Sequence, residues 1–151
     1  MQRITPFLWF DGKLEEAMNF YLSVFKNGKI INAHHIGPDM MTATFELEGQ
    51  TFMGLDAGPQ FKFNEAISFF VNCKNQEEVD DLWAKLTSGG GQESMCGWLK
   101  DKYGLSWQII PTALGELMGD KDPVKARNVM NAMLTMKKIN VKELQKAYDQ
   151  K

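Results

Sequence analysis

The side chains able to do acid–base or metal chemistry are few in this chain and poorly spaced for it. His34 and His35 are its only histidines. They are neighbours in a strand-like segment, where successive side chains point to opposite faces, so the pair cannot hold one ion in regular geometry. Exposed or edge-strand positions are expected for both. Asp56 and Glu46 could form an acid/base pair if a closed site raised one carboxyl pKa. Gly58-Pro59, just beyond Asp56, supports a turn role at least as well. Cys96 has no basic neighbour in sequence to activate it and reads as a buried thiol. Gly89-Gly90-Gly91 follows a helical segment, whereas a phosphate cradle needs its glycines between a strand and a helix start. It reads as a helix stop. No glycine-rich strand–turn–helix with a following acidic ribose binder occurs, so a nucleotide-type cofactor is not expected.

The elements that must position these residues come as a pair. Ile4 to Gly28 is echoed 62 residues later: Glu15-Glu16 by Glu77-Glu78, Phe7 by Phe69, Leu8 by Phe70, Phe20 by Leu82, Tyr21 by Trp83 and Gly28 by Gly90. Each copy has an apolar strand-length run, an acidic helix start, apolar residues at helical spacing and a glycine stop. In the first copy, Asn27-Gly28 is read as a left-handed helix end. A strand from Lys29 to Ile36 follows, then an alternating strand from Met41 to Glu48 and a hairpin partner from Thr51 to Leu55. The second copy runs from a strand at Ala66 to Asn72, through a helix at Gln76 to Thr87, to a hairpin of Gly97–Asp101 and Leu105–Ile110. Two copies are too few for a solenoid; they suggest two equivalent modules closing on each other around a site. The tail departs from the repeat. Asp122-Pro123 opens one helix, with Ala126, Val129, Met130, Met133 and Leu134 in a stripe, and Asn140 opens another.

The chain has 151 residues, 44% hydrophobic and 24% charged, with a formal net charge of −2. These are ordinary values for a soluble globular domain. There is no basic stripe for nucleic acid and no apolar run of membrane length. No signal peptide is expected ahead of the first strand. The two cysteines form no CxxC, so a reducing cytoplasm is expected.

A duplicated βαβββ module resembles the vicinal oxygen chelate superfamily of glyoxalase I, extradiol dioxygenases and fosfomycin- and bleomycin-resistance proteins. Three segments resemble its PhnB-like family, whose domain is often labelled 3-demethylubiquinone-9 3-methyltransferase. They are Ile4–Phe10 leading to Ala17–Tyr21, then Cys96–Pro111 with its Gly-Trp strand, Asp-x-x-Gly turn and closing Trp, and the tail from Asp122 to Tyr148. The resemblance implies an α+β fold of two βαβββ modules forming a cup-shaped mixed sheet, helices on its convex side, a C-terminal helical extension and commonly a homodimer. Residues 1–151 then form a single domain, with module one at 1–58, module two at 63–111 and the tail at 112–151.

The superfamily's metal-dependent members place one ligand on the first and last strand of each module. Those positions fall here on Pro6, Gly54, Ser68 (or Ala66) and Gln108, none a good divalent-metal donor. No metal and no cofactor are expected. The cup would hold a small organic molecule, with Leu8, Phe10, Thr42, Thr44, Phe52, Gly54, Ser68, Phe70, Gln108 and Ile110 facing it, and Asp56 on the same side as Gly54. Ser68 and Gln108 would orient a polar end. A glyoxalase-like lyase or isomerase, or a dimeric scaffold with a self-filled cup, are the alternatives; methyl transfer is not favoured.

Overall fold

The computed structural model describes residues 2–150. The chain divides into two compact units, one ending at Phe63 and the other beginning at Asn64.

The first unit runs β1 (Phe7–Phe10), α1 (Leu14–Val24), β2 (Gly28–His35), β3 (Met41–Leu47) and β4 (Gln50–Asp56). Its sheet order is β1-β4-β3-β2, with β1 parallel to β4 and the other pairs antiparallel. Helix α1 buries Leu14, Ala17, Met18, Tyr21 and Val24, the i, i+3, i+4, i+7 stripe of an amphipathic helix. On the sheet, Met41, Ala43, Phe45 and Leu47 are buried while Thr42, Thr44 and Glu46 are half-buried. One face therefore packs on α1 and the other is turned away from it. Phe45 and Phe52 are cross-strand partners whose rings stack at 5.4 Å on the helix side, a pairing that adds about 0.5–1.5 kcal/mol beyond burial.

Two local features decide how this unit closes. Helix α1 ends with an extended Phe25, and Gly28 has no left-handed backbone. A Cβ at Gly28 would stand 2.6 Å from Leu22 Cδ2 and 2.8 Å from the Glu46 carbonyl oxygen. Gly28 is thus required by close approach of β2 to its neighbours, which corrects the reading of Asn27-Gly28 as a left-handed stop. The second feature is Asp56. Lys13 offers α1 no side-chain cap, and Asp56 Oδ1 accepts the Leu14 N–H at 2.9 Å instead. A carboxylate at this end also complements the helix dipole.

The second unit runs β5 (Ser68–Cys73), α2 (Gln76–Thr87), β6 (Gln92–Glu93), β7 (Trp98–Lys100), β8 (Ser106–Pro111), α3 (Thr112–Met118), α4 (Pro123–Met133) and α5 (Val141–Asp149). Its sheet order, β5-β8-β7-β6, repeats that of the first unit, with β5 parallel to β8. Asn75 caps α2 by accepting the Glu78 N–H at 2.9 Å, and Gly89 and Gly90 turn the chain with positive φ after it, as a helix stop requires. Among the described residues the units give an α+β fold of two four-stranded mixed sheets and five helices. Among the described residues no helix is long and apolar enough to cross a membrane.

The tail packs within this unit. Val129, Ile139 and Leu144 are buried with Ile110 and Leu114, and Met133, Met136 and Tyr148 pack beside them. Gln76 ties it to α2, donating to the Ile139 carbonyl and accepting from the Val141 N–H. The Met stripe is only partly covered, since Met130 and Leu134 stay 38% and 53% exposed. No sequence pattern predicts helix α3. Proline at its N-cap offers no side-chain acceptor, and Gly115 in its middle is a poor helix former.

Candidate functional site

Parity along the strands sorts the candidate residues onto two faces. In the first unit the helix side holds Leu8, Phe10, Phe52, Gly54 and Asp56, all buried. A Cβ on Gly54 would overlap the Leu14 side chain of α1, and Asp56 is hydrogen-bonded to that same residue. These five were expected on the open face, so their placement is a correction. Thr44 and Thr42 do lie on the open face, together with Phe7, Trp9, Met53 and Leu55 by register.

The cause is one residue in a loop. The helix caps Lys13 and Asn75 stand 62 positions apart, whereas the strand ends Phe10 and Cys73 stand 63 apart. Three residues join β1 to α1 and two join β5 to α2, and a one-residue change of phase moves every strand side chain to the other face. The counterpart of Phe70 is therefore Phe7, and that of Gln108 is Met53. The ladders agree, pairing Phe7 with Met53 and Phe70 with Gln108. Pro6 and Gly54 are not equivalents of Ser68 and Gln108; Pro6 precedes β1 and Ala66 precedes β5.

In the second unit, Leu99, Trp107, Ile109 and Cys73 are buried on the helix side, and Ser68, Phe70, Gln108, Trp98 and Lys100 share the other. Gln108 Nε2 donates to Ser68 Oγ at 2.9 Å, so the two residues expected to orient a ligand are in direct contact. Phe70 is 54% exposed. Ile110 has the same parity but is buried among the tail residues, which removes it from the open surface. The Lys100 ammonium pairs with Glu65; through that hydrogen bond first and charge second, it holds the Glu65 carboxyl below the usual carboxylate range.

The remaining candidates have structural work. Asp56 and Glu46 point to opposite faces of their sheet and cannot form an acid/base pair; Glu46 is 3.8 Å from Lys29. His34 and His35 lie exposed on edge strand β2, on opposite faces by their ladder partners Thr42 and Met41. His35 borders a cleft of about 600 Å³ that also meets Asp11, Glu15, Asp39 and Asp56. No Lys or Arg is among the residues lining that cleft, and its Asp56 already serves α1. Cys96 is half-buried with a left-handed φ of 60°, so the fully buried thiol is Cys73. Burial, then the Glu78 carboxylate, pushes Cys73 up to about 12. A residue overlooked in the sequence is Asp101, 2% exposed. Its carboxylate accepts the Tyr103 and Leu105 N–H groups and the Trp107 indole N–H, which explains why the Asp-x-x-Gly turn and the closing Trp occur together.

The chain has relatives that fit this architecture. A family model described as 3-demethylubiquinone-9 3-methyltransferase matches residues 2–110. The chain belongs to that PhnB-like family. A PhnB protein from Bacillus cereus with the same description is 39% identical over 73% of this chain and 99% of its own, with a TM-score of 0.68. Protein PA1353 from Pseudomonas aeruginosa is 19% identical over 74% and 98%, with a TM-score of 0.59. The fosfomycin resistance protein FosX from Listeria monocytogenes, solved with Mn(II) and sulfate, is 15% identical over 71% and 89%, with a TM-score of 0.51. The last two show a shared fold. No curated protein matches it. The tail beyond residue 110 lies outside the family match.

A divalent ion of the FosX kind does not fit the donors present in this PhnB-like chain. The open-face positions of the first and last strands carry Phe7, Trp9, Met53 and Leu55 in one unit and Ser68, Phe70, Ser106 and Gln108 in the other. None is an imidazole or a carboxylate. Among the described residues no three His, Cys, Asp or Glu side chains converge on one point.

Proposed function

We propose that this PhnB-like protein binds a small organic molecule without a metal, on the sheet face of the second unit that is turned away from α2. The reading rests on the Gln108–Ser68 hydrogen bond, a polar pair flanked by Phe70 and Trp98 on a face with no helix of its own repeat against it. Apolar walls with a few placed polar groups are what small ligands use. Chemistry by Asp56 and Glu46 is set aside because the two are on opposite faces. Methyl transfer is disfavoured too, since neither sheet is the parallel sheet that nucleotide-type cofactor folds require. A homodimer in the cytoplasm is part of the same proposal, and light scattering tests the assembly.

The experiment is incubation of the protein with a metabolite mixture, followed by native mass spectrometry. A retained small molecule is expected. Its affinity should fall by about 0.5–1.5 kcal/mol in Gln108→Ala, the net worth of one hydrogen bond. A ligand held equally well by the variant, or no retained ligand, would defeat this assignment.

A further inference from the structure

Two rows of side chains cross the open face of the second sheet, and their chemistries differ. In one, the ladder sets Ser68 of β5 beside Ser106 of β8, and Ser106 beside Lys100 of β7. In the other it sets Phe70 beside Gln108, and Gln108 beside Trp98. Ladder partners share a face and stand about 5 Å apart. Two hydroxyls and an ammonium therefore form one line, with a ring, an amide and an indole in the line beside it.

The middle of the first row is unsatisfied. Ser106 is 1% exposed, and its Oγ is buried with no hydrogen-bond partner among the described residues. Native folds seldom leave a buried hydroxyl unpaired, and an exception invites a ligand explanation. Ser68 accepts from Gln108, which leaves its own proton to donate. Lys100 already holds a carboxylate, that of Glu65, and both side chains of the pair are partly exposed, at 35% and 61%. A competing carboxylate can therefore reach Lys100 from solvent.

We propose that this face takes a small monocarboxylate with a flat apolar body, its anionic end on the Ser68–Ser106–Lys100 row and its body along Phe70 and Trp98. The proposal rests on the open-face reading above and gives it a ligand class. Hydroxyls beside a cation call for an acceptor bearing negative charge, because oxygen lone pairs satisfy Ser68 and Ser106 while Lys100 is neutralised. An amine at the same point would meet Lys100 as a like charge. Glu65 supplies from within the chain the group that the ligand would supply from outside.

The test is titration of the full-length, nitrogen-15-labelled protein with benzoate, and with benzamide as its neutral counterpart, followed by NMR. Benzoate is expected to move the Trp98 indole and Gln108 side-chain amide resonances, with benzamide binding roughly tenfold or more weakly. Glu65→Gln frees Lys100 and should tighten benzoate about two- to fivefold, the range of a surface ion pair. Lys100→Gln should weaken it roughly tenfold and bring benzoate level with benzamide. Both substitutions are at partly exposed positions, and the dispersion of the spectrum verifies folding. Benzamide binding as tightly as benzoate at Trp98 and Gln108 overturns the carboxylate class while leaving the open-face site standing. No movement of either resonance with either compound overturns both. Benzoate affinity unchanged in Lys100→Gln removes the polar row as its anion site.

Discussion

Replacing Asp101 by asparagine should unfold the protein far more readily than the loss of one charge suggests. The carboxylate is 2% exposed and fully engaged. One oxygen accepts the Tyr103 and Leu105 N–H groups at 2.9 and 3.1 Å, and the other accepts the Trp107 indole N–H at 2.9 Å. Asparagine keeps one such oxygen. If that oxygen stays on the two backbone amides, its NH2 group faces the indole N–H, donor against donor. A charge-assisted bond is lost and a buried donor is stranded, about 2–4 kcal/mol together. Asp101→Ala strands all three donors and should cost about 4 kcal/mol or more. Urea unfolding reads this directly, since with a slope of about 2 kcal/mol/M the asparagine variant's midpoint should drop by about 1–2 M. The sharper assay is a double-mutant cycle with Trp107→Phe, which removes the donor that clashes. The double variant should be more stable than the sum of the single changes predicts, by about 1–2 kcal/mol. A midpoint shift within error for Asp101→Asn, or strict additivity in the cycle, would refute the reasoning.

Two further tests probe packing and protonation. Gly54→Ala should cost about 1–3 kcal/mol by forcing a methyl group into Leu14, and Asp56→Ala about 1–2 kcal/mol by uncapping α1; thermal melts followed by circular dichroism measure both, and an unchanged melting temperature for Gly54→Ala would mean this face is not the one packed on the helix. Cys73 should resist thiol reagents at pH 8 until the protein unfolds, while Cys96 reacts first. Burial holds the folded pKa of Cys73 up at about 12, above the ordinary thiol range; the neutral thiol thus contributes stability that is whole below about pH 9 and lost as pH rises toward 12, which alkaline unfolding of Cys73→Ser against the native chain will show.

The repeated unit, its strand and helix order, both hairpins and the family could all be read from the chain, because periodicity, acidic helix starts and glycine stops are local signals. A shared face for Ser68 and Gln108 could be expected from the parity of their strands, but their direct hydrogen bond follows only from β5 lying beside β8. Asp56 was visible as an acid but not as a cap. Its partner Leu14 is 42 residues away in sequence, and no local pattern encodes a carboxylate delivered from another strand. Asp101 could have been found from the Asp-x-x-Gly turn, yet its hold on Trp107 exists only once β7 and β8 are paired. The faces of β1 and β4 were decided by tertiary structure alone. Side chains alternate with a period of two, so the extra residue between β1 and α1 reverses the inward set while leaving the apolar pattern of the repeat nearly intact. Only the hydrogen-bonded register of β1 on β4 and β5 on β8, with Leu14 filling the space left by Gly54, determines which side chains meet the helix and which are left to meet a ligand.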